Sequence, residues 1–156
     1  MILVLLGTHE LQFTRLLEEI ERCIGEGIIQ EKVVVQAGNT KYLSDKMEIL
    51  DFLSYNQLEE RMKETSYIIT HGGTGSITSA LRSNKKVIAI PRLKKYNEHN
   101  DDHQVEILKA FEKKRYIKAC YDMNVGKCIQ ELEDFRPECY QTDNSKMINL
   151  LKEFIR

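Results

Sequence analysis

Short apolar runs alternate along this chain with stretches whose apolar positions recur every three or four residues. Runs of four to six apolar residues bounded by glycine, proline or polar clusters predict strands buried on both faces, and the longer period predicts amphipathic helices. The pattern predicts a strand from Ile2 to Leu6, then a helix with Leu16, Leu17, Ile20 and Ile24 on one face, closed by Gly25 and Gly27. A second strand, Val33 to Gln36, and a third, Ile49 to Leu53, precede a helix carrying Leu58 and Met62. Strand four, Tyr67 to Thr70, breaks into a glycine-rich segment and a helix through Ile77, Ala80 and Leu81 to about Ser83. Strand five, Val87 to Ile90, is stopped by Pro91. A helix then starts near Glu98 to Asp102 and carries Val105, Ile107, Leu108 and Phe111. A sixth strand, Tyr116 to Cys120, leads into two helices, about Met123 to Leu132 and about Ser145 to Ile155, joined around Pro137.

This alternation is that of an α/β fold with a doubly wound, mostly parallel sheet. Such sheets bind ligands outside the carboxyl ends of their strands, where loops lead into helix N-termini. Four polar segments fall there: Gly7 to Glu10, Ala37 to Lys41, His71 to Ser76 and Arg92 to Gln104. They are expected to share one rim.

Length and composition narrow the function. The 156 residues suit one domain spanning 1–156, and 42% hydrophobic with 30% charged residues excludes a disordered chain. A formal net charge of -1 lacks the basic excess of a general nucleic-acid binder, so an anionic ligand must be held locally. The apolar run Met1 to Leu6 is far short of a membrane span and lacks a basic flank and cleavage site, which predicts a cytoplasmic protein. Cys23, Cys120, Cys128 and Cys139 form no Cys-x-x-Cys pair and read as reduced structural thiols.

The segment His71, Gly72, Gly73, Thr74, Gly75, Ser76 can bring backbone N–H groups close to an anion at a helix N-terminus, which suits a diphosphate. It is neither a dinucleotide fingerprint nor a Walker A loop. Its structural alternative is a tight turn with Thr74 or Ser76 as N-cap. The segment Glu98, His99, Asn100, Asp101, Asp102, His103, Gln104 gathers ionisable and amide side chains at a helix start, with His99 and His103 four apart on one side. It reads as a polar ligand site, as a metal site of a hydrolase using His99, Asp102 and His103, or as a solvated acidic helix start. Arg92, Lys94 and Lys95 precede it and could neutralise phosphate. The first loop adds Thr8 and His9, the latter a candidate base or phosphate-orienting group or, equally, a satisfied structural histidine.

The combination of GTHELQF at Gly7 to Phe13, VQAGNTKY at Val35 to Tyr42, HGGTGS at His71 to Ser76 and IPRLKKYNEHNDDHQ at Ile90 to Gln104 resembles the PssE-type bacterial glycosyltransferases. These are similar to the catalytic subunit of the two-subunit eukaryotic UDP-GlcNAc transferase and to the carboxyl-terminal half of MurG-like GT-B enzymes. The resemblance covers roughly residues 1 to 120. It implies the Rossmann-like donor half of a GT-B fold, with the UDP-sugar lined by Thr8, His71 to Ser76, Arg92, Glu98, His99 and Asp101 to Gln104.

The resemblance further implies an inverting transfer to a polyprenyl-diphosphate-linked sugar in capsule or exopolysaccharide synthesis, without a cofactor or an obligatory metal. A membrane-anchored PssD-like subunit would supply the acceptor half and hold this chain at the inner face of the plasma membrane. Isolated, the chain could self-associate. His9 is the candidate base within the chain, beside a base from the partner. Ser79 stands where many relatives have a glutamate that grips the ribose, and Asn84 and Lys86 stand where glycine and proline are common; Glu98 is the candidate to take over a hydroxyl contact. A non-catalytic nucleotide-binding module would use the same loops without turnover.

Overall fold

The computed structural model describes residues 1–140; the helix expected from about Ser145 to Ile155 lies outside the described residues. Six parallel strands form one sheet: β1 (Ile2–Leu5), β2 (Val33–Gln36), β3 (Glu48–Leu50), β4 (Ile68–His71), β5 (Val87–Ile90) and β6 (Lys118–Ala119). Between and after them run α1 (Thr14–Gly25), α2 (Tyr55–Glu64), α3 (Thr74–Arg82), α4 (His103–Lys113) and α5 (Val125–Leu132), with a 3-10 turn at Lys94–Tyr96. The strand order β3-β2-β1-β4-β5-β6 reverses direction at β1, so a crevice opens between the loops that follow β1 and β4.

Strand side chains alternate between two apolar layers, as a pleated backbone requires. Ile2, Val4, Val33, Val35, Ile69 and Ile88 pack with α1 and α5. Leu3, Leu5, Val34, Ile68 and Val87 pack with α2, α3 and α4. The stripe Leu16, Leu17, Ile20 and Cys23 keeps α1 on the sheet, each side chain fully buried. Each large aliphatic buried there contributes roughly 1.5–3 kcal/mol, and Leu17→Ala would remove that and leave a cavity.

Several boundaries differ from the sequence reading for local reasons. β3 ends at Leu50 because the chain turns away after the Ala37 and Gly38 N–H groups bond the Leu50 and Asp51 carbonyls, and Ser54 and Gln57 form a capping box that starts α2. β4 runs one residue further than expected, so His71 belongs to the strand and lies opposite Ile90. β6 is a two-residue edge strand. Residues Glu98 to Asp102 form a turn rather than the start of a helix, and α4 begins at His103. Cys23, Cys120, Cys128 and Cys139 are free thiols, the last exposed. Among the described residues no helix is long and apolar enough to cross a membrane.

Candidate functional site

The four polar segments do meet at the carboxyl edge. Asn39 donates to the Thr8 and His9 carbonyls, and Gln36 to the Gly7 carbonyl, which ties the second segment to the first. A Cβ on Gly38, whose φ is +59°, would stand 2.3 Å from the Gly7 oxygen, so only glycine permits this approach. Side chains of the loop after β5 reach both the first loop and the glycine-rich segment. All four histidines of the chain, His9, His71, His99 and His103, therefore lie in these rim segments.

The glycine-rich segment is mostly helix. Gly73 is the N-cap of α3 and offers no side-chain bond, so neither Thr74 nor Ser76 is the cap. The nearest backbone bond of that turn runs from the Ile77 N–H to the Gly73 carbonyl, and the N–H groups of Thr74, Gly75 and Ser76 head the helix at its positive end. Thr74 Oγ1 is buried with no partner among the described residues. Gly75 is exposed, and a Cβ there would meet nothing within 4 Å. Gly73 behaves differently: its Cβ would stand 2.5 Å from His71 Cε1, so the close approach it permits is to the histidine ring.

His71 fills the crevice beneath the loops. Its ring is buried, and a Cβ on Gly7 would come within 2.3 Å of Nε2. Arg92 Nε lies 3.3 Å and Gln104 Nε2 3.4 Å from Nδ1, and Ser76 Oγ lies 3.2 Å from Nε2. Burial above all, then the Arg92 charge with His99 and His9, push the imidazolium pKa down to about 3, so the ring is neutral at physiological pH.

The loop after β5 corrects three of the expected ligand contacts. Arg92 does not face a phosphate from solvent: it is 1% exposed, and its guanidinium donates to the carbonyls of Leu6, Leu11 and Glu98 and to His71. Its face lies 5.0 Å from the Phe13 ring centre. Burial lowers its pKa to about 10, against the pull of Glu98, and it stays charged. Glu98 is not free for a ribose hydroxyl: at 3% exposure it takes two bonds of 2.9 Å from Arg15 and one from the Leu93 N–H. Gln104 is also buried, its Oε1 accepting the Gly72 and Arg92 N–H groups. These three residues brace the rim from beneath.

The outward part of the segment is His99, Asp101, Asp102 and His103. Asp101 faces both imidazoles, at 3.1 Å from His99 Nδ1 and 3.4 Å from His103 Nδ1, and accepts the His103 N–H. Partial burial disfavours its charge, but that N–H and the two imidazoles hold its pKa below the usual value. Asp102 turns the other way and accepts the Lys94 N–H. The trio His99, Asp102 and His103 of the hydrolase reading thus does not converge, and among the described residues no group of three or more such side chains could hold a metal ion. His99 and His103 are joined by the Asp101 turn and not by a helix face.

His9 stacks on His99 with ring centres 4.5 Å apart, and its Nδ1 accepts the Leu11 N–H. Partial burial first, then His99 and Arg92, lower its pKa. A neutral ring bonded this way carries its proton on Nε2, which makes that nitrogen a donor; the base role expected of His9 would require the bond at Nδ1 to break. Thr8 is exposed on the same loop. Ser79 sits one helical turn beyond Gly75 and lines a cleft of about 410 Å³ between α2 and α3, together with Tyr55, Leu58, Glu59, Met62 and Arg82. Arg15, central to the bracing, gave no signal in the sequence because it falls within an ordinary amphipathic helix start. The burial of Glu98, itself invisible there, is what demands Arg15 as its partner.

Residues 1–155 match the glycosyltransferase family 28 C-terminal domain. The chain is 30% identical over 114 residues to the UDP-N-acetylglucosamine transferase subunit ALG13 of Candida albicans, covering 73% of this chain and 35% of that protein. The Debaryomyces hansenii protein of the same name is 30% identical over 117 residues, 70% of this chain and 54% of that one. The chain thus spans about a third to a half of these curated relatives. Among solved structures, an NMR solution structure of ALG13 superposes with a TM-score of 0.61 at 18% identity, covering 96% of this chain and 94% of that one. MurG of Acinetobacter baumannii gives 0.54 at 15% identity, over 97% of this chain and 43% of that one, which places the fold with the Rossmann-like halves of GT-B glycosyltransferases. With the rim organised around the start of α3, the match along nearly the whole chain identifies it as a member of the glycosyltransferase family 28 C-terminal domain family.

Proposed function

We propose that this chain is the donor-binding, catalytic half of a two-subunit glycosyltransferase that uses a UDP-sugar. The observation that carries the reading is the start of α3, where free N–H groups and the exposed Gly75 form an open anion seat at the sheet's switch point. The diphosphate would rest on the Thr74, Gly75 and Ser76 amides, and the nucleoside would extend along the α2–α3 cleft beside Ser79. Asp101, Asp102, His99, His103 and Thr8 remain on the open side of the rim as candidates for the sugar hydroxyls.

The relatives are named as transferase subunits, which supports a partner for this chain. A PssD-like membrane-anchored subunit would bring a lipid-linked sugar acceptor, keep this chain peripheral at the inner face of the plasma membrane, and serve capsule or exopolysaccharide assembly. The acceptor hydroxyl attacks the anomeric carbon, the bond to the β-phosphate oxygen breaks, and the configuration inverts. Negative charge grows on the departing UDP, where fixed amides and the helix dipole stabilise it without reorganising. His9, with its proton on Nε2, serves as a donor, and the base comes from the partner.

The test is calorimetry of UDP with the wild-type chain and with Gly75→Val, whose side chain enters only the open seat. The variant should fold normally and bind UDP at least about tenfold more weakly, the loss of roughly one good polar contact. Equal affinity would remove α3 from the site. Transfer to a lipid-linked acceptor should need the second subunit, and full activity of the isolated chain would contradict the two-subunit reading.

A further inference from the structure

We infer that His71 is a positioning residue for the proposed transfer: locked as the neutral Nε2–H tautomer by Arg92 and Gln104, it turns the Ser76 hydroxyl proton outward as a donor to the diphosphate. This rests on the donor-site reading above. The lock follows from hydrogen-bond bookkeeping alone. Gln104 Oε1 accepts two backbone N–H groups, from Gly72 at 3.1 Å and Arg92 at 2.9 Å, so the other end of its amide, Nε2, is the end that faces the ring. Arg92 Nε can only donate. Two donors therefore point at His71 Nδ1, which must present its lone pair, and the ring proton sits on Nε2. That proton is donated to Ser76 Oγ at 3.2 Å.

An oxygen that accepts from His71 is left with its own proton to give, and no acceptor for it is present among the described residues. Ser76 is partly exposed in the first turn of α3, next to Gly75, where a Cβ would find open space. Its hydroxyl proton and its first-turn amide are two donors on one residue, and an anionic oxygen is the group that uses both. A serine free to rotate would lose part of this preference to water. His71 is built to resist the alternative state. The groups around its ring are Arg92, Gln104, Ser76, His9, His99 and the backbone of Gly7 and Gly73, and none offers a carboxylate to an imidazolium. The neutral ring also fits the depressed basicity produced by burial.

Two measurements test this. Nitrogen-15 spectra of the histidine-labelled chain should show the His71 ring with Nε2 protonated and Nδ1 bare, unchanged from about pH 8 to about pH 5. UDP binding should then be followed in a double-mutant cycle. Ser76→Ala and His71→Leu should each weaken UDP about tenfold, the pair together no more than either alone, and His71→Gln, which restores an N–H near Ser76, should recover most of the affinity. An additive loss of about a hundredfold in the double variant, or a ring protonated on Nδ1, overturns the proposal. The spectrum is read on the unmodified chain, so a leucine variant that does not fold leaves the lock open to refutation. A wild-type chain that binds no UDP overturns the donor reading, and the ligand half of this proposal with it, while the tautomer result stands by itself.

Discussion

The loops that follow β4 and β5 are neighbours on the rim and both rich in polar groups, yet they use them in opposite directions. The loop after β4 ends with backbone turned outward: a helix N-terminus without a side-chain cap, and Gly75 open to solvent. The loop after β5 turns side chains inward: Arg92, Glu98 and Gln104 are all buried, and between them they hold the first loop, α1, β4 and their own turn. One loop offers a surface, and the other fixes where that surface stands. A seat made of backbone amides cannot adjust its own geometry, so its precision has to come from side chains behind it.

The sharpest way to break this contrast is to remove the central brace. Arg92→Met keeps much of the side chain's length but strips four hydrogen bonds from a fully buried guanidinium, leaving the Leu6, Leu11 and Glu98 carbonyls and His71 Nδ1 without that donor. We expect a loss of about 3–5 kcal/mol in urea unfolding. A variant as stable as wild type would mean that the inward residues are not bracing at all. Gly75→Val, at the outward loop, should leave the urea midpoint nearly unchanged.

Acid unfolding sharpens the same division. The folded His71 pKa lies near 3, below the value of 6.5 for a free imidazole. Between those values the unfolded chain binds a proton that the folded chain refuses, so stability falls as pH drops below about 6.5 and is level above it. His9 contributes with the same sign. Glu19, Glu21, Glu31 and Asp101 have lowered pKa values in the fold, and their losses set in below about 4.5. The histidine part is therefore read between about pH 6.5 and 4.5, where it should amount to a few kcal/mol. His71→Gln should flatten that limb in urea midpoints taken across the range. An unchanged slope would show that His71 is not the neutral buried group.

Much of the frame was legible because periodicity reports burial directly. Strands β1, β2 and β5 begin and end within a residue of the sequence reading, and the four rim segments meet as expected. What the sequence could not reveal is direction. Arg92 and Glu98 look like solvent-facing charges in a loop of lysines, asparagine and aspartate, and their burial depends on partners 81 to 86 residues away. Likewise His71 reads as the first residue of a ligand loop, whereas pairing with Ile90 makes it the last residue of a strand with its ring beneath the seat. Glycines carry the same ambiguity: the absence of a Cβ at Gly73 serves a neighbouring ring, and at Gly75 it serves open space.

The smallest expected effect is at Asp102, and it separates the bracing role from a ligand role within one segment. Asp102 Oδ1 accepts the Lys94 N–H at 2.9 Å, and an asparagine keeps that oxygen in place while losing the charge. Asp102→Asn should therefore change stability by no more than about 0.5 kcal/mol. Asp101→Asn removes the carboxylate that faces both His99 and His103 while keeping an oxygen for the His103 N–H. If both variants transfer sugar normally in the reconstituted pair, the outward half of the segment is only a stable turn. If Asp101→Asn alone slows transfer, the imidazole pair belongs to the site, and if both variants slow it, both carboxylates reach the sugar.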